Sequence, residues 1–438
     1  MGVSAVEQPR VVNRWWQLIA GFIAMMAIAN LQYAWTLFTT PLTRSLHASL
    51  AAVQVAFAAF VLTETWLVPF EGYLVDLLGT RLIVVLGGIL VGLGWIGAGL
   101  SHSVGTLVFW YAIGGVGAGA VYGACVGNAL KWFPDYRGLT AGVTAGGYGI
   151  GTALTVAPIA AMIKTAGWSQ TFITWGFIQG IVVIVMGLML VQPPKGWSPP
   201  GWKAKEALIT ARVQMSKVDM TPGQMVQQGS FWALYFMFVL MGFTGLVVTA
   251  QLKPIAQFYH VDKVVVAFGL SALVLALQLD RILNGVARPF WGWVSDRIGR
   301  ENTMFIAFGL QALTIVAWIG LIGHPVWFIV LSGFAFFSWS EIFSLFPSAV
   351  GDLFGRTYAT TNYGILYTAK GVASIFAGPV AAAAKHAAGN WAPILWSMAV
   401  ASAVAALMAL FWLKPLARRT VAEGARMVAA SVPTGGGE

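Results

Sequence analysis

Arg281, Asn284 and Arg288 recur at i, i+3 and i+7, which puts two cations and an amide on one face of a helix. They belong to an apolar segment, residues 265–293, long enough to cross a bilayer. A cation at that depth costs roughly 2.5–3.5 kcal/mol on insertion scales, so something must offset it. A guanidinium offers a planar fork of donors matched to a carboxylate, which makes a bound carboxylate anion the simplest offset for Arg288. Pro289, the next residue, removes a helical hydrogen bond and permits a kink. The bland alternative is an ion pair that only ties helices together. For Arg281, with Asp280 beside it, that alternative is preferred.

A second deep cation, Lys370, lies near the centre of the apolar segment 358–384, with Tyr363 and Tyr367 on its helical face. An anion with two carboxylates needs two cations, and Arg288 and Lys370 supply that number. The bland reading of Lys370 is a structural Lys–Glu pair. Two carboxylates also fall inside apolar segments: Glu341, two residues after Trp339, and Glu64, on the stripe Gln54, Phe57, Val61, Glu64. Intramembrane carboxylates are functional candidates by default. Glu341 is expected to neutralise Lys370 or Arg281 when the site is empty. Its alternative role, shared with Glu64, is to take up a proton. Uncharged donors complete the set. Gln32 and Trp35 share a face, Tyr33 points off it by periodicity, Gln54 opens the second apolar segment, and Tyr122 and Tyr148 lie in the fourth and fifth. Such groups can bond carboxylate oxygens and wall a small ligand, although buried Tyr and Trp often serve packing alone.

The elements that position these residues follow from composition. The chain has 438 residues, 58% hydrophobic and 9% charged. A soluble domain carries about 25% charged residues, so an ordinary soluble fold is excluded. Twelve apolar segments can be marked, at roughly 15–39, 50–75, 81–101, 105–131, 138–162, 168–193, 230–258, 265–293, 302–322, 325–349, 358–384 and 390–413. The expectation is an all-α membrane protein of twelve transmembrane helices in two six-helix halves. These are residues 1–193 and 230–414, with a cytoplasmic linker at 194–229 and a cytoplasmic tail at 415–438. With the N-terminus inside, outside loops hold only Arg44, Lys164, Lys263 and Lys385, and most other Lys and Arg fall inside. That bias puts both termini in the cytoplasm and accounts for the net charge of +10 without nucleic acid. The single cysteine, Cys125, excludes an internal disulfide and reads as a small buried filler. No cleavage site follows Arg10 and Arg14, so the first span is read as retained.

The halves repeat. Gly72-Tyr-Leu-Val-Asp76-Leu-Leu-Gly79-Thr-Arg81 returns as Gly292-Trp-Val-Ser-Asp296-Arg297-Ile-Gly299-Arg300, with Gly, Asp and Gly each offset by 220. A weaker echo sets Phe133-Pro134, Asp135, Arg137 and Tyr148 against Phe346-Pro347, Asp352, Arg356 and Tyr363. Parallel six-span repeats place a substrate site near the midplane between halves.

The Gly-x-x-x-Asp-x-x-Gly-x-Arg turn resembles the signature loop of the major facilitator superfamily. Within it the chain is similar to the oxalate/formate antiporter family over nearly its whole length. The resemblance is carried by Leu31-Gln-Tyr-Ala-Trp-Thr-Leu37, Ala51-Ala-Val-Gln54, Val121-Tyr-Gly123, Lys131-Trp-Phe-Pro-Asp-Tyr-Arg-Gly138, Gly147-Tyr-Gly149, Asn284-Gly285, Arg288-Pro-Phe-Trp-Gly292 and Ala369-Lys370. It implies a secondary transporter of the inner membrane, exchanging oxalate, formate or a related small carboxylate by alternating access. It also implies that Arg288 and Lys370 hold a dicarboxylate and that Trp339 lines the site. The loop from Lys131 resembles the family's gate region, so Asp76, Arg81, Asp135, Arg137, Asp296, Arg297, Arg300, Asp352 and Arg356 are expected to form ion pairs that break on opening. Glu341 and Glu64 depart from the family pattern and favour a proton-coupled monocarboxylate symporter as the alternative.

No catalytic set or metal-ligand cluster is visible, so neither an enzyme nor a cofactor is expected. The expected partners are a small carboxylate and the lipid bilayer, and the protein is expected to be a monomer. Gly146-Gly-Tyr-Gly-Ile-Gly151 echoes a nucleotide loop, but no strand precedes it, and helix packing explains it better. A carboxylate sensor that does not transport is the remote alternative, with no signalling domain after residue 413 to support it.

Overall fold

The computed structural model describes residues 12–133, 137–194, 199, 218–355 and 358–431. The first part of the chain forms α1 (Arg14–Tyr33), α2 (Trp35–Ser45), α3 (Leu50–Trp66), α4 (Val68–Leu78), α5 (Thr80–Gly99), α6 (Val104–Trp132), α7 (Arg137–Ile150) and α8 (Val156–Met189). The second forms α9 (Pro222–Met225), α10 (Gly229–Phe258), α11 (Ala272–Ile298), α12 (Arg300–Leu321), α13 (Pro325–Trp339), α14 (Ile342–Phe354) and α15 (Ala359–Ile375). It ends with α16 (Ala381–Ala388), α17 (Ala392–Met408) and α18 (Lys414–Ser431), and π-helical turns join α15 to α16 and α17 to α18. Helix starts follow local chemistry. Ser49 accepts from the Ala52 N–H at the head of α3, and Ser103 and Thr106 form a capping box on α6.

Among the described residues, nine helical stretches are long and apolar enough to cross a membrane, or ten if α3 and α4, bent by 44°, count as one. The protein is therefore a multi-pass membrane protein. The expected spans are broken at specific places. The first stops at Tyr33 and resumes at Trp35. The fifth stops at Ile150, and its remainder joins the sixth in α8 across a kink at Gly167. Residues 265–271 are not helical as expected. Val265–Ala267 pairs antiparallel with Leu270–Ser271 around a two-residue turn, Phe268-Gly269, where both φ angles are positive. A β-branched run before a Phe-Gly turn explains the hairpin. α11 then runs unbroken through Pro289, where a kink is permitted but not taken up as a break.

The internal repeat has a backbone counterpart. Gly79 ends α4 at φ 87°, and Gly299 ends α11 at φ 88°. Each donates its N–H to the carbonyl four residues back, Val75 or Ser295, and only glycine holds this φ without strain.

The two parts meet at two main seams, α7 on α11 and α3 on α15. In the first, a Cβ at Gly149 would lie 3.0 Å from the Gly285 Cα. In the second, a Cβ at Gly371 would lie 2.6 Å from the Thr65 hydroxyl oxygen. Both approaches depend on missing side chains. A third junction uses carbonyls that prolines release. Pro41 leaves the Leu37 carbonyl without its helical donor, and Lys253 Nζ donates to it at 2.6 Å. Pro254 likewise releases the Ala250 carbonyl, which accepts from Gln54 Nε2 at 2.9 Å.

Candidate functional site

Lys370 is fully buried in α15 and uses its ammonium completely. Its Nζ donates to Glu64 Oε2 at 2.8 Å, Gln32 Oε1 at 2.9 Å and Tyr367 OH at 3.1 Å. The Tyr148 hydroxyl lies 2.9 Å from Gln32 Oε1 and from Glu64 Oε1. Both Glu64 oxygens therefore have donors. The second part of the chain supplies the cation and Tyr367, while α1 and α3 of the first supply the other two acceptors and α7 supplies Tyr148. Tyr122 stacks on Tyr367 and meets Tyr148 edge-on, each at 5.6 Å between centroids, which walls the cluster.

Arg288 is equally buried but less well satisfied. Its Nη1 donates to the Ala145 carbonyl at 2.5 Å, across the α7–α11 seam. Its Nη2 reaches Asn284 Oδ1 at 3.3 Å and Tyr33 OH at 3.5 Å, while Nε has no acceptor. Asn284 Oδ1 is also taken by Ser340 Oγ at 2.6 Å. The guanidinium lies 4.3 Å above the Phe343 ring, and among the described residues no carboxylate pairs with it. Arg281, two helical turns earlier, sits between the rings of Tyr33 and Phe336, with Asp280 Oδ2 at 4.0 Å. Ser332 donates to the other Asp280 oxygen.

Two expectations about this site are corrected. Glu341 does not neutralise Lys370 or Arg281. It is fully buried with no hydrogen-bond partner at either oxygen, and Glu64 holds Lys370 instead. The reason is tertiary: α3 faces α15 closely at Gly371, while Glu341 sits at the break between α13 and α14. Tyr33 does not point away from the site. Tyr33 is the last residue of α1 and lies on Arg281, Arg288 and Tyr148, while Trp35, beyond the break at Ala34, turns to Gln54.

Other expected residues occupy separate layers. Trp35 donates to Gln54 Oε1 at 2.8 Å, and Gln54 donates on to Ala250 O and Gln251. Gln54 precedes Glu64 by ten residues, about 15 Å along α3. This pair joins the halves rather than touching either cation. Trp339 packs its ring against Gly245 and stands edge-on to Phe343, one ring from Arg288, with its indole N–H unpartnered. Of the expected gate residues, Arg300 pairs with Asp352 at 3.0 Å, within one half. Arg81 donates to the Leu190 carbonyl, and Arg297 lies over the Trp293 ring. Asp135 and Arg356 lie outside the described residues, as do the side chains of Asp76, Arg137 and Asp296 and most of the linker.

Sequence reasoning missed Phe343, Gln251, the Ala145 carbonyl and Glu71. Glu71 is nearly buried in α4 with neither oxygen partnered. Its signal was available, a carboxylate seven residues beyond Glu64 in an apolar run. Gln251 had a weaker one, an amide within a turn of Lys253 and Pro254. A backbone carbonyl carries none.

The chain matches the family model described as Major Facilitator Superfamily over residues 18–283 and 281–433. It is 35% identical to the oxalate:formate antiporter of Oxalobacter formigenes, with 93% of each chain covered. It is 28% identical to the uncharacterized MFS-type transporter YhjX of Escherichia coli, covering 83% of this chain and 86% of that one. To monocarboxylate transporter 12-B of Danio rerio it is 22% identical, covering 83% and 80%.

Proposed function

The chain belongs to the Major Facilitator Superfamily and, within it, to the oxalate/formate antiporter family, and from that premise we propose that this membrane transporter carries small carboxylate anions by alternating access. It is a transporter and not an enzyme. In this reading, residues 1–193 and 230–414 are the moving halves, the linker 194–229 and both termini are cytoplasmic, and the protein is a monomer in the inner membrane. The observation that carries the reading is Arg288. It is a fully buried guanidinium at the α7–α11 seam with, among the described residues, no carboxylate partner and an Nε without an acceptor. A substrate carboxylate supplies what is missing, a planar acceptor with a compensating charge.

The coupling follows from the same charge. An empty site leaves Arg288 uncompensated, which disfavours closure of the halves and favours exchange of one anion for another. The seams that closure needs are built: α7 against α11, α3 against α15, and the Gln54 and Lys253 bonds to released carbonyls. Oxalate, formate and related anions are the candidate substrates, by relation to a named oxalate:formate antiporter. The test is counterflow of labelled oxalate, formate and lactate in proteoliposomes. Wild type exchanges at least one of them, and Arg288→Gln abolishes that exchange. Equal exchange by the variant sinks the reading.

A second reading has its own observation. Glu341 and Glu71 are buried carboxyl groups without partners, a setting suited to carrying a proton. Net uptake of a monocarboxylate with a proton then replaces exchange. Glu341→Gln should abolish uptake driven by a proton gradient. Uptake that the substitution leaves untouched removes Glu341 from the coupling.

A further inference from the structure

We propose that Glu64 is a built-in counter-carboxylate that occupies the Lys370 part of the site and sets the substrate valence at one, so that a monocarboxylate is preferred to a dicarboxylate. The inference rests on the carboxylate-carrier reading and narrows its substrate class.

The geometry is that of an occupied carboxylate site. One Glu64 oxygen accepts from Lys370 Nζ at 2.8 Å, and the other accepts from the Tyr148 hydroxyl at 2.9 Å. A substrate carboxylate placed between Lys370 and Tyr148 would make these same two bonds. Glu64 comes from α3 and Lys370 from α15, so the tethered group also spans the halves as a bound anion would. Being tethered, it competes with any free carboxylate at high effective concentration.

The charge balance points the same way. Among the described residues, the buried cations at the seams are Arg281, Arg288 and Lys370. Asp280 offsets the first and Glu64 the third. Glu341 and Glu71 have neither a cation nor a donor on their oxygens, and a buried charge without either is too costly to hold, so they add none. One positive charge remains, on Arg288. A monocarboxylate cancels it. A dicarboxylate must either leave its second charge without a cation or displace Glu64 and strand that carboxylate in an apolar interior.

The experiment compares counterflow of labelled formate and oxalate by wild type, Glu64→Gln, Lys370→Gln and the Glu64→Gln/Lys370→Gln double variant. Wild type should favour formate over oxalate. Glu64→Gln should move the formate-to-oxalate preference toward oxalate by about tenfold or more, because the released Lys370 now takes a second carboxylate. Lys370→Gln should weaken formate exchange by leaving Glu64 to repel the anion. The double variant should recover about tenfold of that loss, with oxalate still disfavoured. A preference that Glu64→Gln changes by less than about twofold overturns the proposal. If Glu64→Gln does not fold, the double variant decides, and one as impaired as Lys370→Gln overturns it. Wild type that exchanges no carboxylate overturns the carrier reading together with this one. Wild type that exchanges formate with a preference insensitive to Glu64 overturns this one alone.

Discussion

Lys370 and Arg288 are both fully buried cations from the second part of the chain, one at each of its two main seams with the first, yet their surroundings are opposite. Lys370 has three acceptors at 2.8–3.1 Å, one of them a carboxylate. Arg288 has one short bond to a backbone carbonyl, two long ones, an aromatic face and an unused Nε. A saturated buried pair holds helices in place, and removing one partner alone leaves a charge stranded. An undersaturated guanidinium instead awaits an acceptor. In the proposed carrier, the two cations that look equivalent as a pair of charges divide the work between closing the site and filling it.

The comparison breaks most visibly at Lys370. Lys370→Gln strands Glu64, and thermal melts in detergent should show a loss of about 3–5 kcal/mol. Removing Glu64 as well should recover most of it. A melt unchanged by the single substitution would mean that the pair is not formed in the membrane. Next comes Arg288→Lys, which keeps the charge but loses the fork. Carboxylate exchange should fall about 10- to 100-fold, the loss of a charged hydrogen bond at ~1.5–3 kcal/mol, with little change in the melt. A melt shifted as far as that of Lys370→Gln would make Arg288 structural and erase the contrast.

Tyr148→Phe probes the saturated side more gently. It removes one donor from Glu64 and Gln32, both of which keep Lys370, so about 1–2 kcal/mol of stability should go. The smallest effect belongs to Glu341→Gln. With no partner to lose, its melt should move by under about 1 kcal/mol. A loss comparable to that of Lys370→Gln would show that Glu341 finds a cation in another conformation of the carrier.

Much of this was legible in the sequence for physical reasons that are local. Apolar runs report burial in lipid wherever they occur. The Gly79 and Gly299 turns were visible as a repeat because a positive φ restricts the residue directly. Arg288 and Lys370 stood out because a charge in an apolar run is costly whatever surrounds it. Pro41 and Pro254 even marked which carbonyls would lack a helical donor, though not that Lys253 and Gln54 would use them.

Pairing across the chain was not legible. Periodicity assigns a residue to a face, but it does not say which helix that face meets. Glu341, in the same half, was the expected partner for Lys370, and the observed one lies 306 residues away. Gln32 and Trp35, three residues apart, are separated by the break after Tyr33: Gln32 accepts from Lys370 and Trp35 donates to Gln54. The sequence by itself determined a repeated multi-helix membrane protein with two cations at depth, because hydropathy, charge cost and glycine geometry act within a few residues. Only the tertiary structure decided that one cation is already neutralised and the other is not, because that depends on which helices approach closely enough at Gly371 and Gly285 for distant side chains to meet.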